Sequence, residues 1–247
     1  MKLPLIYTCF SLVVTTLGTK LPSSFMKCDV KQSDFQQCLT KTVENAIKQM
    51  NRPFKEVNLL NLEPLEIPSM TIAAGSHVMY TQQVFKNMKV SGFNETTCSK
   101  VEFDTDSKIL KLDCVVPNFR LEFDYEINGQ ILQISVYGKG SGWGVYFDNH
   151  LKLTLKLGEY EKKGKKYYNV VKQQLSMLMR DVDFDLGNLF DGDKEAADRI
   201  KKIFKENALE IYGDVRSGYE EAFGLVFASI FDRLLGKVPA AYLFGEK

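Results

Sequence analysis

The amino-acid sequence predicts an α+β protein in which a strongly curved antiparallel β-sheet wraps a long C-terminal helix, with a short helix near the N-terminus. Two patterns predict this fold. Apolar and polar residues alternate from Leu59 to about Lys172, which is typical of strands with one solvated face. From Lys194 to Leu235, apolar residues recur at the three-and-four spacing of a helix. So long a sheet can bury its apolar face by curling around that helix.

The N-terminus has the pattern of a secretory signal peptide. Lys2 precedes an apolar run through Val14, and small residues follow up to Gly18. We therefore predict a signal peptide at 1–18 and a single secreted, extracellular domain at 19–247. An uncleaved anchor is the alternative, but the apolar run is shorter than the roughly 18 residues that a membrane span requires. In a secreted protein, the Asn-Glu-Thr sequon at Asn94 predicts a glycosylated surface loop.

Secretion would place Cys28, Cys38, Cys98 and Cys114 in an oxidising compartment. Four cysteines allow three pairings. Cys28 and Cys38 flank a short polar segment, so that their bond would close a small loop. Cys98 and Cys114 lie at equal distances from a turn signal at 104–108, and a hairpin there would place them opposite each other. We favour these two pairs, with free or differently paired thiols as the alternative.

A short amphipathic helix is predicted after Cys38, and Pro53 stops it. Its apolar face comprises Leu39, Val43, Ala46, Ile47 and Met50. The strands that follow are predicted to form one long meander, with a tight hairpin turn at Asn128-Gly129 between two alternating runs. A second turn is predicted within 161–166, and a last strand at 181–186.

The C-terminal helix is predicted to begin near Asp191 and Asp193, whose side chains can cap its first turn. If unbroken it would extend on the order of 60 Å, which exceeds the width of a compact domain of this length. Gly213, Gly218 and Gly224 are candidate bends. The charged residues on its opposite side argue against a membrane span, and we expect no stable membrane insertion.

Catalytic and metal-binding patterns are mostly missing from the sequence. His77 and His150 lie far apart, and no cysteine or histidine spacing matches a zinc site. The acidic segment at 181–193 lacks the glycine and glutamate of a calcium loop, and the glycine-rich segment at 138–144 matches no phosphate-binding or nucleophile motif. We therefore predict neither enzyme activity nor a metal or cofactor. The net charge of +1 gives no reason to expect nucleic acid as a partner.

Several segments together resemble the insect takeout and juvenile hormone binding proteins, which are secreted carriers of small lipophilic molecules. The resemblance covers nearly the whole mature chain, and it implies a hydrophobic tunnel between the sheet and the long helix. Cys28 and Cys38 match the paired cysteines of that family, whereas Cys98 and Cys114 depart from its usual pattern. The segments that carry the resemblance are LPSSFMKCDVKQSDFQQCL, LEPLEIPSMTI, FDYEINGQILQISVYGKGSG, FDLGNLFDGDKEAADRIKKIFKENALEIY and VPAAYLF.

These features predict a monomeric carrier whose tunnel binds a small lipophilic ligand: a terpenoid such as juvenile hormone, or a fatty-acid-like or quinone-like lipid. A receptor is a further candidate partner. The alternative is a secreted interaction protein that docks a receptor or partner protein without bound lipid. Tyr125 or Tyr219 could offer a hydroxyl to a polar group of the ligand. The predicted ligand contacts are Tyr219, Phe223, Val226, Phe227, Ile230, Phe231, Phe123 and Tyr125.

Overall fold

A computed structural model of the protein describes residues 18–74 and 79–245. The predicted signal peptide, except for Gly18, lies outside these residues, and so does His77. In the described part of the chain, no helix is long and apolar enough to cross a membrane.

The described residues form one antiparallel sheet of seven strands. Two long central strands, β4 and β5, are paired along most of their length. β2 and β3 lie end to end along the other edge of β4, and β6 and β7 do the same along β5. The strands therefore do not form the simple meander predicted. Their bounds are β1 Leu65–Ala74, β2 Met79–Ser91, β3 Thr97–Asp104, β4 Ile109–Ile131, β5 Ile134–Lys162, β6 Lys165–Leu178 and β7 Asp181–Leu186.

Four α-helices complete the described fold: α1 Phe35–Gln49, α2 Lys194–Glu206, α3 Ala208–Leu235 and α4 Ala240–Phe244. The strand order β1-β2-β4-β5-β6 places β1 and β6 at opposite ends of the sheet, yet α3 contacts both strands. The sheet must therefore curl around α3 until both of its ends reach the helix. This arrangement, with the short α1 before it, confirms the predicted fold class.

Side chains of α3 satisfy the open edge of β6. The carboxylate of Asp232 accepts a hydrogen bond from the backbone N–H of Val170 at 2.8 Å. Glu220 accepts one from the N–H of Met177 at 2.9 Å, and the hydroxyl of Tyr212 donates to the Met177 carbonyl at 3.0 Å. Because an exposed strand edge is a template for pairing with other chains, these contacts both anchor the helix and protect the sheet.

The turn between β4 and β5 is not at Asn128-Gly129, and that prediction is wrong. Both residues lie within β4, where they pair with β2 on one side and with β5 on the other. The turn is instead formed by Leu132 and Gln133, which have φ values of 48° and 67°. Positive φ at both central residues is the geometry of the tight two-residue hairpin turn. Pairing on two sides has overridden the local turn preference of Asn-Gly.

The helix predicted from Lys194 to Leu235 breaks once, at Asn207, between α2 and α3. Its side-chain amide donates to the carbonyl of Ile203 at 2.8 Å and so satisfies part of the end of α2. The candidate bends at Gly213, Gly218 and Gly224 all lie inside α3. Gly224 packs closely against β6, where the side-chain amide of Gln173 occupies the space that a Cβ would take. Asp193 caps α2 as predicted and accepts from the Ala196 N–H at 3.1 Å.

The structure contains both favoured disulfides. Cys28 and Cys38 join the N-terminal segment to α1, with 5.9 Å between their Cα atoms. Cys98 and Cys114 are cross-strand neighbours on β3 and β4, with 4.0 Å between their Cα atoms. The turn between these strands falls within 105–108, as the sequence predicts.

Candidate functional site

Four phenylalanine rings pack together between the sheet and α3, and we call them the aromatic partition: Phe93, Phe119, Phe223 and Phe227. The rings of Phe119 and Phe223 meet at a centroid distance of 6.0 Å. Phe93 contacts Phe119 at 5.1 Å and Phe227 at 6.1 Å. All three are edge-to-face contacts, a favourable geometry for aromatic pairs in addition to the burial of their surface.

The aromatic partition lies between two cavities. On α3, residues as far as Tyr219 line one cavity and residues from Phe227 onward line the other, with Phe223 between the two sets. On β4, Phe119 lies between the two sets in the same way. Because the same division appears on the helix and on the facing strand, the partition crosses the interior from one wall to the other.

The first cavity, which we call the tyrosine cavity, has a volume of about 130 Å³. Its walls combine apolar side chains with four tyrosines and Gln83. Four charged residues also contribute to the lining: Glu126, Asp185, Asp198 and Lys201. The Tyr219 hydroxyl donates to the side-chain carbonyl of Gln83 at 2.5 Å, and the amide group of Gln83 donates to the Thr81 hydroxyl at 2.9 Å. This chain of hydrogen bonds joins α3 to β2 across the inside of the curled sheet.

The tyrosines of this cavity keep their protons at neutral pH. Burial raises the pKa of Tyr146 to about 12. Burial, with a smaller contribution from Asp185, raises the pKa of Tyr125 to about 12. The pKa values of Tyr212 and Tyr219 are also raised, chiefly by burial. Each hydroxyl is therefore a neutral group that can donate one hydrogen bond.

Helix α2 covers the tyrosine cavity on the side of β7. On α2, Ile200 is buried and lines the cavity. The ring of Phe204, also on α2, meets the ring of Phe184 on β7 edge to face, with 4.5 Å between the ring centroids. The Lys201 ammonium pairs with the Asp185 carboxylate at 2.9 Å, and this hydrogen bond is the main cause of the raised pKa of Lys201. Asp185 is thus used in an ion pair, and the described residues contain no group of three or more His, Cys, Asp or Glu side chains that could hold a metal.

The second cavity, which we call the leucine cavity, has a volume of about 200 Å³. It lies between α1, the sheet, the last turns of α3 and the C-terminal α4. Thr42 and Thr96 contribute the only hydroxyl groups among its described lining residues. The leucines of its wall are Leu21, Leu39, Leu59, Leu62, Leu110, Leu112, Leu151, Leu153, Leu175, Leu234, Leu235 and Leu243.

The predicted ligand contacts fall into three groups in the structure. Phe123, Tyr125 and Tyr219 line the tyrosine cavity, and Phe227, Ile230 and Phe231 line the leucine cavity. Phe223 and Val226 line neither.

Both tyrosine hydroxyls that the sequence offers to a ligand already donate to protein groups. Tyr125 donates to the Gly187 carbonyl at 2.8 Å, and Tyr219 donates to Gln83. Sequence reasoning missed Gln83 on β2, because no motif distinguishes a polar residue on the inner face of a strand from one on the outer face. It also missed Thr96, which lies just before β3 and carries no motif of a cavity residue.

Asn94, the predicted glycosylation site, is exposed in the short 3-10 helix Phe93–Glu95. Its backbone N–H donates to the carboxylate of Glu63 at 2.8 Å. His150 is exposed on β5. The attachment of a glycan to Asn94 stays a prediction.

Comparison with known proteins places the chain in one family. The family model for haemolymph juvenile hormone binding protein matches residues 6–245. The circadian clock-controlled protein daywake of Drosophila yakuba is 22% identical over 237 residues, covering 88% of this chain and 86% of that protein. Daywake of Drosophila melanogaster is 23% identical over 234 residues, covering 92% of this chain and 89% of that protein.

A solved structure has the same fold. The crystal structure of Epiphyas postvittana Takeout 1 superposes with a TM-score of 0.78 at 19% identity, and the match covers 90% of this chain and 100% of that one. The family match spans all of the described residues, including those that line both cavities and those that form both disulfides. The chain therefore belongs to the haemolymph juvenile hormone binding protein family.

Proposed function

We propose that the protein is a secreted, monomeric carrier that encloses a small lipophilic ligand between the curled sheet and α3. The observation that carries this proposal is the pair of cavities in the interior, one of them walled almost entirely by leucine and other apolar side chains. Burying an apolar ligand surface in such a cavity contributes about 25 cal/mol per Å². The ligand classes we propose are a terpenoid such as juvenile hormone, a fatty-acid-like lipid or a quinone-like lipid.

Secretion is part of the proposal because two disulfides are typical of proteins that fold in an oxidising compartment. The membership of the chain in a family named for a haemolymph hormone-binding protein supports it further. The proposal includes no catalysis, since enclosure and burial account for binding. An interaction protein without bound lipid does not require two apolar-walled cavities, so we favour the carrier.

Filling the cavities should prevent binding. Leu153 is buried with 6% exposure and lines the leucine cavity, and Val215 lines the tyrosine cavity. We expect Leu153→Trp or Val215→Trp to weaken the binding of the fluorescent lipid probe N-phenylnaphthylamine about tenfold or more, because the larger ring occupies the space of the ligand. Overpacking costs about 1–3 kcal/mol, so thermal unfolding of each variant must first show a folded protein.

The matched control is Lys152→Trp, one residue before Leu153 on the same strand. Its side chain is 66% exposed on the outer face of the sheet. The control should bind the probe as the unmodified protein does. If both folded cavity variants also bind unchanged, the cavities are not the binding site. If the unmodified protein takes up no lipid, the carrier proposal itself fails.

A further inference from the structure

Thr96 is one of the residues that line the leucine cavity, and its side-chain hydroxyl has no hydrogen-bond partner among the described residues. The residue is only 3% exposed, and its Oγ1 is buried with no hydrogen-bond partner among the described residues. Its backbone N–H is satisfied, since it donates to the Phe93 carbonyl at 3.0 Å. Buried hydroxyls in proteins are normally hydrogen-bonded, and one left without a partner costs free energy.

The other hydroxyl of this cavity differs from Thr96. The Oγ1 of Thr42 lies 3.1 Å from the Sγ of Cys28, which gives it a contact within the protein. The remaining lining residues carry apolar or sulfur-containing side chains. A polar group of a ligand in this cavity therefore has one side chain with an unused hydrogen-bond donor, and that side chain is Thr96.

The backbone around Thr96 is held in place by contacts that do not involve its hydroxyl. The Glu63 carboxylate accepts hydrogen bonds from the backbone N–H groups of Gly92 at 3.1 Å and Asn94 at 2.8 Å. Two residues after Thr96, Cys98 is bonded to Cys114. The threonine is thus fixed from both sides, as expected of a group that positions a ligand.

We propose that the Thr96 hydroxyl is the polar anchor of the leucine cavity and donates a hydrogen bond to the carbonyl oxygen of a lipid ester or ketone. This inference rests on the proposed carrier function and names the chemical class of its ligand. A pure hydrocarbon would leave the hydroxyl unsatisfied, whereas a carbonyl oxygen supplies the acceptor that the protein does not. The anchor selects carbonyl-bearing lipids over hydrocarbons of the same length.

Thr96 has a second possible reason to be a threonine, because it is the third residue of the Asn94 sequon. The variants must separate the two roles. Thr96→Val removes the hydroxyl and the sequon, Thr96→Ser keeps both, and Asn94→Gln removes the sequon but keeps the hydroxyl. An effect of glycan loss would appear in Asn94→Gln as well as in Thr96→Val, whereas an effect of the anchor would appear in Thr96→Val alone.

The experiment measures the dissociation constants of methyl laurate and of pentadecane, which have the same number of non-hydrogen atoms, by displacement of N-phenylnaphthylamine. The informative quantity is the ratio of the two constants in each variant, since the ratio cancels general effects on binding. We expect Thr96→Val to shift this ratio against the ester by about three- to tenfold, the value of one net hydrogen bond. Thr96→Ser and Asn94→Gln should keep the ratio of the unmodified protein.

Thermal unfolding of the ligand-free variants provides a second readout. Because Thr96→Val removes an unsatisfied hydroxyl, we expect its unfolding temperature to equal or exceed that of Asn94→Gln. A markedly lower temperature would mean that the hydroxyl serves the protein itself, and it would overturn the inference. An unchanged ratio in Thr96→Val would also overturn it. If the unmodified protein binds neither N-phenylnaphthylamine nor methyl laurate, the carrier function itself is overturned.

Discussion

Replacing Phe223 by alanine is expected to lower the free energy of unfolding by about 3–5 kcal/mol, the cost of removing a buried phenylalanine. Phe223 is 2% exposed and packs against the rings of Phe119 and Phe227. Its neighbours are held by the sheet on one side and by α3 on the other, so they cannot easily collapse into the space that is left. Chemical denaturation monitored by circular dichroism measures the loss.

Phe204→Ala is the matched control for this change. Phe204 lies on α2 at the edge of the tyrosine cavity and is only partly buried against Phe184. We expect it to lose clearly less stability than Phe223→Ala. Equal losses would contradict the tight packing of the aromatic partition.

Phe223→Ala should also change ligand binding, because removing the Phe223 ring opens a path between the two cavities. A long-chain lipid that can occupy both cavities should then gain affinity relative to a short one. Phe227 lines the leucine cavity directly, so Phe227→Ala should cost less stability than Phe223→Ala and should change probe affinity. A large loss of stability in Phe227→Ala with unchanged probe affinity would remove Phe227 from the site.

Replacing both Cys98 and Cys114 by alanine is expected to cost about 3 kcal/mol, because their bond closes a loop with a sequence separation of 16. The bond joins β3 to β4 beside the wall of the leucine cavity. Denaturation without reductant measures the loss, and Cys28→Ala with Cys38→Ala is the companion variant for the smaller loop. Two free thiols in the folded, unmodified protein, detected by intact mass, would contradict the Cys98–Cys114 assignment.

Much of the architecture can be predicted from the sequence, because burial of one face requires apolar residues at the characteristic spacing of each strand or helix. The inward residues Leu121, Phe123, Tyr125 and Ile127 of β4 are all buried, as their alternation predicts. The helical spacing from 208 to 235 likewise predicts the face that α3 turns to the sheet. Both patterns can be recognised within a single segment, and the residues that they mark as inward-facing contribute to the core in the structure.

Other features depend on contacts between distant segments. The Asn128-Gly129 signal is a sound local preference, yet two neighbouring strands hold that segment extended. The break at Asn207 has no proline or glycine to mark it, and its amide hydrogen bond becomes visible only in the folded chain. Predictions from single segments fail where the partner of the segment decides its structure.

The candidate site was predictable as a set of apolar residues but not as two cavities. Phe223 and Phe227 lie four residues apart on the same helical face, yet only Phe227 lines a cavity. The two residues differ because the facing strands leave a gap beside Phe227 and none beside Phe223, and the type of residue does not reveal such gaps. Thr96 was hidden for a further reason, since its place in a sequon already explains its identity.

Native mass spectrometry of the protein secreted from insect cells tests the carrier function most directly. We expect the folded protein to carry an added mass that is lost on unfolding, and lipid extraction should identify the released molecule as a small lipophilic compound with a carbonyl group. A protein that emerges at its ligand-free mass, and that takes up neither methyl laurate nor N-phenylnaphthylamine when these are supplied, would contradict the account.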